Sequence, residues 1–177
     1  MNQRTTLYMI RHGETDWNVE RRFQGHMDIA LNARGRQQTS ALGQKLKAHP
    51  IELFLSSDLS RAYETASLIA AQREVMVPIQ RTALLREMDM GQAAGLLRDE
   101  ITARFGPELV TQWREAATEH NEHFCFPGGE SKAQVVARAV GAVRQLVEVE
   151  RPAVAAVTTH GGVLKHLLHA LFPGVET

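Results

Sequence analysis

The 177-residue sequence has little that would tie it to an oxidising compartment, a membrane or a nucleic acid. It contains one cysteine, Cys125, so no disulfide can form within the chain. Its 20 Lys and Arg residues balance 20 Asp and Glu residues, which leaves no net charge to attract polyanions. No apolar run approaches the roughly 20 residues of a membrane-spanning helix, and the apolar stretch near the N-terminus is too short for a secretory signal. These absences predict a cytoplasmic protein whose partners include neither nucleic acid nor membrane.

What the sequence does contain is an alternation of short apolar segments with amphipathic ones. Apolar segments predict strands at 6–10, 51–57, 75–80 and 153–159, with Pro78 placing the third at a sheet edge. Amphipathic segments predict helices at 33–48, 58–72, 97–118, 132–150 and 162–172. This order favours an α/β fold in one domain, residues 1–177, with a mainly parallel central sheet flanked by helices on both faces.

Three residues mark the predicted helix boundaries. Asp58 is the expected N-cap of the second helix, and Ser131 is the expected N-cap of the fourth. Gly106, followed by a proline, predicts an interruption within the third helix.

Chemically active residues follow three of the predicted strands. The first strand ends in Arg11, His12 and Gly13, the second is followed by Arg61 one turn into a helix, and the last ends at His160. Ligands of open parallel sheets bind beyond the carboxyl ends of the strands, so these groups are expected to meet at one edge. Guanidinium groups and helix N-termini bind phosphate oxygens. Because no glycine-rich phosphate loop is present, we predict a phosphoryl site built from side chains.

The segments "RHGETDWN", "SSDLSRAYETA" and "THGG", in this order, resemble the histidine phosphatase superfamily, the phosphoglycerate mutase-like proteins. The resemblance implies a three-layer sandwich in which His12 is the nucleophile that becomes phosphohistidine. It also implies that Arg11, Arg61 and His160 complete the phosphate pocket. Glu87, in "LLREMDMG", matches the proton donor.

The resemblance further implies substrate-pocket positions and the absence of a metal or other cofactor. The positions are Gly13, Thr15, Asn18, Gln24, Gly25 and Gly161, with Gly129 and Glu130 of "FPGGES" near the entrance. Arginines are expected to do the work of a metal ion. His120, His123 and Cys125 lack a second ligand cluster and indicate a solvated helix end instead.

The complete set in a short chain predicts a phosphatase acting on a small phosphorylated substrate; the set is Arg11, His12, Arg61, Glu87 and His160. The alternatives are a cofactor-dependent phosphoglycerate mutase and a non-catalytic member that binds a phospholigand. Mutases of the family are longer between the acid and the second histidine, which favours the phosphatase. The identity of the phosphate ester is not encoded in these motifs.

Relatives usually continue past the last helix with further strands, whereas this sequence stops at Thr177. Either the sheet has an exposed edge, or a partner chain covers it, or the protein is natively shortened. Because an uncovered edge promotes association, we expect a tendency to form a homodimer.

Overall fold

The computed structural model describes residues 4–116 and 122–171. Its sheet has four parallel strands: β1 (Thr6–Arg11), β2 (Leu53–Ser57), β3 (Ile79–Thr82) and β4 (Val154–Thr159). Their order is β1-β4-β2-β3, so the three strands that end in chemically active residues are neighbours. β2 and β4 lie in the interior and are almost entirely buried, which explains their continuous apolar runs. The predicted parallel sheet is confirmed.

Helices cover both faces of this sheet. Their bounds are α1 (Asp16–Val19), α2 (Ala33–Leu46), α3 (Ser60–Ala70), α4 (Arg98–Ala116), α5 (Lys132–Gln145) and α6 (Gly161–Leu171). One apolar cluster joins Leu46 and Ile69, from α2 and α3, to Phe54 of the sheet. A second cluster joins Val135 and Leu167, from α5 and α6, to the opposite face. The resulting helix–sheet–helix layers confirm the predicted fold class.

The predicted N-cap of α3 is wrong. The helix begins at Ser60, after an N-cap residue, Leu59, that makes no side-chain cap bond. The carboxylate of Asp28, from a distant loop, accepts the Ser60 N–H at 2.7 Å. Asp58 instead pairs with Arg86 through two hydrogen bonds of 2.7 Å each. Asp28, which is distant in the sequence, therefore accepts the N-terminal hydrogen bond of α3 that was predicted for Asp58.

The other boundary predictions mostly hold. Ser131 caps α5 in a reciprocal capping box with Gln134, as predicted. Gly106 interrupts α4 with a φ of 82°, also as predicted. The helix predicted at 132–150 is α-helical only as far as Gln145, the end of α5, and continues as a π-helical turn, Leu146–Glu150. The predicted strand at 75–80 begins four residues later, at Ile79, because Val75 and Met76 are exposed.

A third apolar cluster lies apart from the two that cover the sheet. Its buried members are Met90, Ala93, Ile101, Val110 and Phe126, from α4 and the turns that flank it. Short 3₁₀ turns at Ala83–Leu85 and Gly91–Ala93 lead the chain from β3 into this region. None of the helices in the described ranges is long and apolar enough to cross a membrane.

Candidate active site

The carboxyl ends of β1, β4 and β2 open into a cavity of about 300 Å³. Backbone register places Arg11 of β1 beside Thr159 of β4, so the residues that follow these strands leave the sheet at the same level. Arg11, His12, Arg61 and Glu87 line the cavity. The structure thus brings together lining residues that are as far apart in the sequence as Arg11 and His166.

His12 is buried and held in one tautomer. Its backbone N–H donates to the Thr159 carbonyl at 3.0 Å, and its ring Nδ1 lies 2.7 Å from the Gly13 carbonyl. A carbonyl oxygen only accepts, so Nδ1 carries the ring proton and Nε2 keeps its lone pair. Burial, opposed by the Gly13 hydrogen bond and aided by the charges of Arg61 and Arg11, lowers the pKa of His12 to about 4. The imidazole is therefore neutral at pH 7 and has a nucleophilic nitrogen.

His160 lies behind His12, with the two ring centroids 5.1 Å apart. The Nε–H of Arg61 donates to His160 Nδ1 at 3.2 Å, which makes Nδ1 an acceptor. The remaining proton is on Nε2, which donates to the Ser57 hydroxyl at 2.9 Å. Burial, and then the charge of Arg61, hold the pKa of His160 well below its usual value. Both imidazoles are thus neutral, and each has its tautomer set by a neighbour.

Arg61 is a buried cation, 0% exposed, whose hydrogen-bond acceptors are all uncharged. Besides His160, it donates to the Met27 carbonyl at 2.8 Å and to the Gly25 carbonyl at 2.9 Å. Burial lowers the pKa of Arg61, and the more distant charges of Glu87 and Asp28 oppose that effect. A buried charge without a hydrogen-bonded carboxylate favours the arrival of an anion.

Glu87 faces the first turn of α6. Its Oε2 accepts the Gly162 N–H at 3.1 Å, and its Oε1 accepts the Met88 N–H at 2.9 Å. A Cβ on Gly162 would lie 2.6 Å from Glu87 Oε1, so a larger residue there would displace the carboxyl group from this place. The second glycine of "THGG" is therefore a site residue that the family motif contained but our substrate-binding set omitted.

Asn18, Gln24 and Gly25 also line the cavity, as the resemblance implied. The Asn18 Oδ1 accepts both the backbone N–H and the hydroxyl of Thr15 at 3.0 Å, which leaves the Asn18 amide N–H₂ for a ligand. The Oε1 of the buried Gln24 has no hydrogen-bond partner among the described residues. The Gly25 carbonyl accepts a hydrogen bond from Arg61 Nη2.

Three residues predicted to contact substrate do not form the cavity wall. Thr15 is fully buried and caps α1, so it acts by fixing Asn18. Gly13 donates its N–H to Thr65 at 3.1 Å and packs against Gly35. Gly161 packs beside Arg11, where an added Cβ would lie 3.3 Å from Arg11 Nε.

The wall opposite the histidines is apolar, and motif analysis missed it. Part of it comes from the third apolar cluster and its neighbours, namely Phe23, Met88, Met90, Trp113, Phe124 and Phe126. Their spacing in the sequence has no helical or strand period, which is why pattern analysis could not group them. Lys132, Lys165 and His166 complete another part of the lining. Burial, followed by the charges of the two lysines, lowers the pKa of His166 to about 4.

The possible metal ligands near residue 123 give no cluster. His120 lies outside the described residues, and Cys125 is an exposed free thiol that lines the cavity. Across residues 4–116 and 122–171, no three His, Cys, Asp or Glu side chains are grouped as metal ligands would be.

Comparisons with known proteins agree with one another. A family model, the histidine phosphatase superfamily (branch 1), matches residues 7–176. Phosphoglycerate mutase-like protein 4 of Arabidopsis thaliana is 36% identical over 173 residues, covering 96% of this chain and 72% of the relative. A 2,3-bisphosphoglycerate-dependent phosphoglycerate mutase of Gloeobacter violaceus is 32% identical, covering 93% and 74%. A mycobacterial glucosyl-3-phosphoglycerate phosphatase, solved with VO₃, has a TM-score of 0.81 at 34% identity, covering 96% and 82%.

Proposed function

Because the chain belongs to the histidine phosphatase superfamily, we propose that it is a phosphatase that hydrolyses a small phosphomonoester through a phosphohistidine at His12. That membership confirms the resemblance carried by the three motifs. The observation that carries the proposal is the Nδ1 contact of His12 with the Gly13 carbonyl at 2.7 Å, because it leaves Nε2 unprotonated beside a buried guanidinium. We also propose a cytoplasmic location, which the exposed free thiol of Cys125 supports.

The first half of the reaction transfers the phosphoryl group to the protein. The His12 Nε2 lone pair forms a bond to phosphorus while the bond from phosphorus to the ester oxygen breaks. Arg11 and Arg61, which line the cavity, supply the N–H groups that stabilise the phosphoryl oxygens, a type of contact worth about 3 kcal/mol in comparable anion sites. His160 does not line the cavity; it is hydrogen-bonded to Arg61 and Ser57 and orients the Arg61 guanidinium. Glu87, in its protonated form, donates its proton to the departing alcohol oxygen.

The second half returns the protein to its starting state. The Glu87 carboxylate takes a proton from a water molecule, whose oxygen attacks phosphorus as the bond to His12 Nε2 breaks. Inorganic phosphate leaves, and Glu87 is protonated again. Each proton given to an alcohol is thus recovered from a water.

Phosphate release tests the proposal directly. The parent protein should hydrolyse p-nitrophenyl phosphate, and His12→Ala should reduce the rate to that of the uncatalysed reaction. The acid-labile phosphoprotein trapped from labelled substrate should be absent in the variant. His123→Ala, which changes a side chain that is 82% exposed, is the matched control and should behave as the parent does. Phosphate binding without turnover by the parent would favour the non-catalytic alternative.

A phosphoglycerate mutase is the second candidate, favoured by the 32% identity to a protein of that name. The apolar wall of Met88, Met90 and Phe126 favours an ester with an apolar alcohol, whereas Lys132 and Lys165, on another part of the lining, are charged groups of the kind that a bisphosphorylated acid needs. The assay is 3-phosphoglycerate with catalytic 2,3-bisphosphoglycerate. Isomerisation that is faster than phosphate release would replace the phosphatase proposal with the mutase.

A further inference from the structure

Arg138, on α5, holds the backbone of the segment that carries Glu87. Its Nη1 donates to the carbonyls of Leu84 at 2.8 Å and Arg86 at 2.7 Å, and its Nη2 donates to the carbonyl of Glu87 at 3.0 Å. The Nε and Nη2 groups also donate to the two carboxylate oxygens of Glu130, each at 2.8 Å. The Arg138 side chain is only 14% exposed, so water competes weakly for these donors. It does not line the cavity.

Glu130 extends the same network to the other side of Glu87. Its Oε2 accepts the Asp89 N–H at 3.0 Å, and its own N–H donates to the Asp89 carbonyl at 2.9 Å. Burial would raise the pKa of Glu130, but the hydrogen bonds from Arg138 and from the Asp89 N–H outweigh it and lower the pKa. Glu130 is therefore a carboxylate at neutral pH, and the ion pair with Arg138 is permanent there.

The network matters because the Glu87 carboxyl group occupies a narrow place. It sits against Gly162, where even a methyl group would lie 2.6 Å from Oε1. A displacement of about 1 Å in a reacting group can cost a hundredfold in rate. The segment from Leu84 to Asp89 contains only the end of a 3₁₀ turn, so it lacks the repeated backbone hydrogen bonds that fix a helix or a strand.

We propose that Arg138, paired with Glu130, is a positioning residue that sets the place of the Glu87 carboxyl group. The inference rests on the proposed function, because its test measures the step in which Glu87 donates a proton. Arg138 touches no reacting atom. It acts through the three carbonyls and through Glu130, and its removal should impair only the step that uses Glu87.

The dependence on the leaving group separates this role from general damage. p-Nitrophenolate leaves as a stable anion and needs little protonation, whereas the alkoxide of benzyl phosphate needs the Glu87 proton. General acid catalysis contributes about 10² to 10⁴ in rate. We expect Arg138→Gln to lower kcat/KM for benzyl phosphate at least tenfold more than for p-nitrophenyl phosphate. Glu87→Gln should show the same selectivity.

A double-variant cycle supplies the second test. If Arg138 acts through Glu87, then adding Arg138→Gln to Glu87→Gln should change kcat/KM for benzyl phosphate by less than about threefold. Arg138→Lys keeps the charge but not the forked set of donors, so it should show the selective loss in a protein that still folds. Arg36→Gln, which breaks an exposed pair with Glu64, is the matched control and should leave both substrates unaffected.

The outcomes distinguish the two proposals. Equal losses on both substrates, additive effects in the cycle, or full activity of Arg138→Lys and Arg138→Gln would overturn the positioning role while leaving the phosphatase intact. A parent protein without phosphatase activity would overturn the proposed function itself. Unfolding midpoints close to that of the parent ensure that the comparison is between folded proteins.

Discussion

At the scale of single residues, the chemistry depends on which form of His12 the fold maintains. Burial holds its pKa at about 4, whereas an unperturbed histidine has a pKa of about 6.5. The nucleophile is the neutral form, whose fraction grows as pH rises. At pH 5 roughly 90% of such a His12 is neutral, compared with roughly 3% of an unperturbed histidine.

The corresponding prediction concerns the acid limb of the pH profile. kcat/KM for p-nitrophenyl phosphate, corrected for ionisation of the substrate, should stay high down to pH 5 and fall near pH 4. The correction matters because a phosphate monoester has its own pKa of about 6. An acid limb that remains near pH 6.5 after the correction would contradict the neutral, buried His12.

Gly162 gives a second prediction at this scale. Gly162→Ala should lower kcat by tenfold or more, because the new methyl group would push on the Glu87 carboxyl group from 2.6 Å. Stability should not fall greatly, since alanine is favourable in a helix. Gly161→Ala is the comparison, with a contact of 3.3 Å to the more exposed Arg11 side chain, and its loss should be smaller. Equal kcat in both variants would show that the Gly162 contact is not limiting.

Sequence motifs located much of this site because its residues follow three strands directly. Arg11, His12 and His160 need only the end of a strand to place them. The role of Asp28 could not be found in this way, because it caps a helix that begins 32 positions further along the chain. Thr15 was predicted to contact substrate, whereas its hydroxyl group is hydrogen-bonded to Asn18 at the start of α1.

At the scale of helices and strands, two glycines are expected to respond in opposite ways to the same substitution. Gly106 has a φ of 82°, a conformation that alanine adopts only with strain, and an added Cβ would meet no atom within 4 Å. Gly141 is within α5 and also has open space around its Cβ position. Gly106→Ala should therefore destabilise the protein by about 1–3 kcal/mol, and Gly141→Ala should stabilise it by about 1 kcal/mol.

Urea unfolding of the two variants provides the measurement. Because neither methyl group makes a new contact, the difference isolates backbone conformation. A Gly106→Ala variant at least as stable as the parent would mean that the interruption of α4 is not required.

The elements that could be predicted from sequence are those whose neighbours lie close in the chain or whose burial is uniform. β2 and β4 have continuous apolar runs because helices cover both faces. α4 was predicted as a helix, but neither the 3₁₀ turns before it nor the third apolar cluster was predicted. Its members, such as Met90 and Phe126, meet only after the sheet has brought distant loops together.

At the scale of the whole molecule, the buried histidines couple folding to pH. His12, His160 and His166 all have lowered pKa values, chiefly because of burial. The unfolded chain binds protons at these groups below pH 6.5, whereas the folded chain does so only at lower pH. Stability should therefore fall as pH decreases from 7 towards 4.

His12 alone should contribute a loss of about 2 kcal/mol between pH 7 and pH 5, given a folded pKa of about 4. The free energy of unfolding in urea, measured at both pH values, tests this for the parent and for His12→Asn. The variant should lose less stability than the parent over the same interval. Identical losses would assign the pH dependence to other groups.

Association also belongs to this scale. β1 and β3 are the outer strands among those described, and β3 is short, with the exposed Val75 and Met76 just before it. We propose that a second copy covers one of these edges. Sedimentation should then give a mass near twice 19.7 kDa, and a monomer at working concentrations would refute the proposal.

The separation between the sheet edge and the third apolar cluster has a consequence for engineering. Arg11, His12 and His160 lie at or directly after the ends of strands, and Arg61 lies in the first turn of α3, whereas much of the apolar wall comes from α4 and the turns beside it. Exchanging that wall, from about residue 88 to residue 126, would retarget the scaffold to a different alcohol without rebuilding its phosphorus chemistry. A library confined to this stretch is accordingly a rational starting point for altered selectivity.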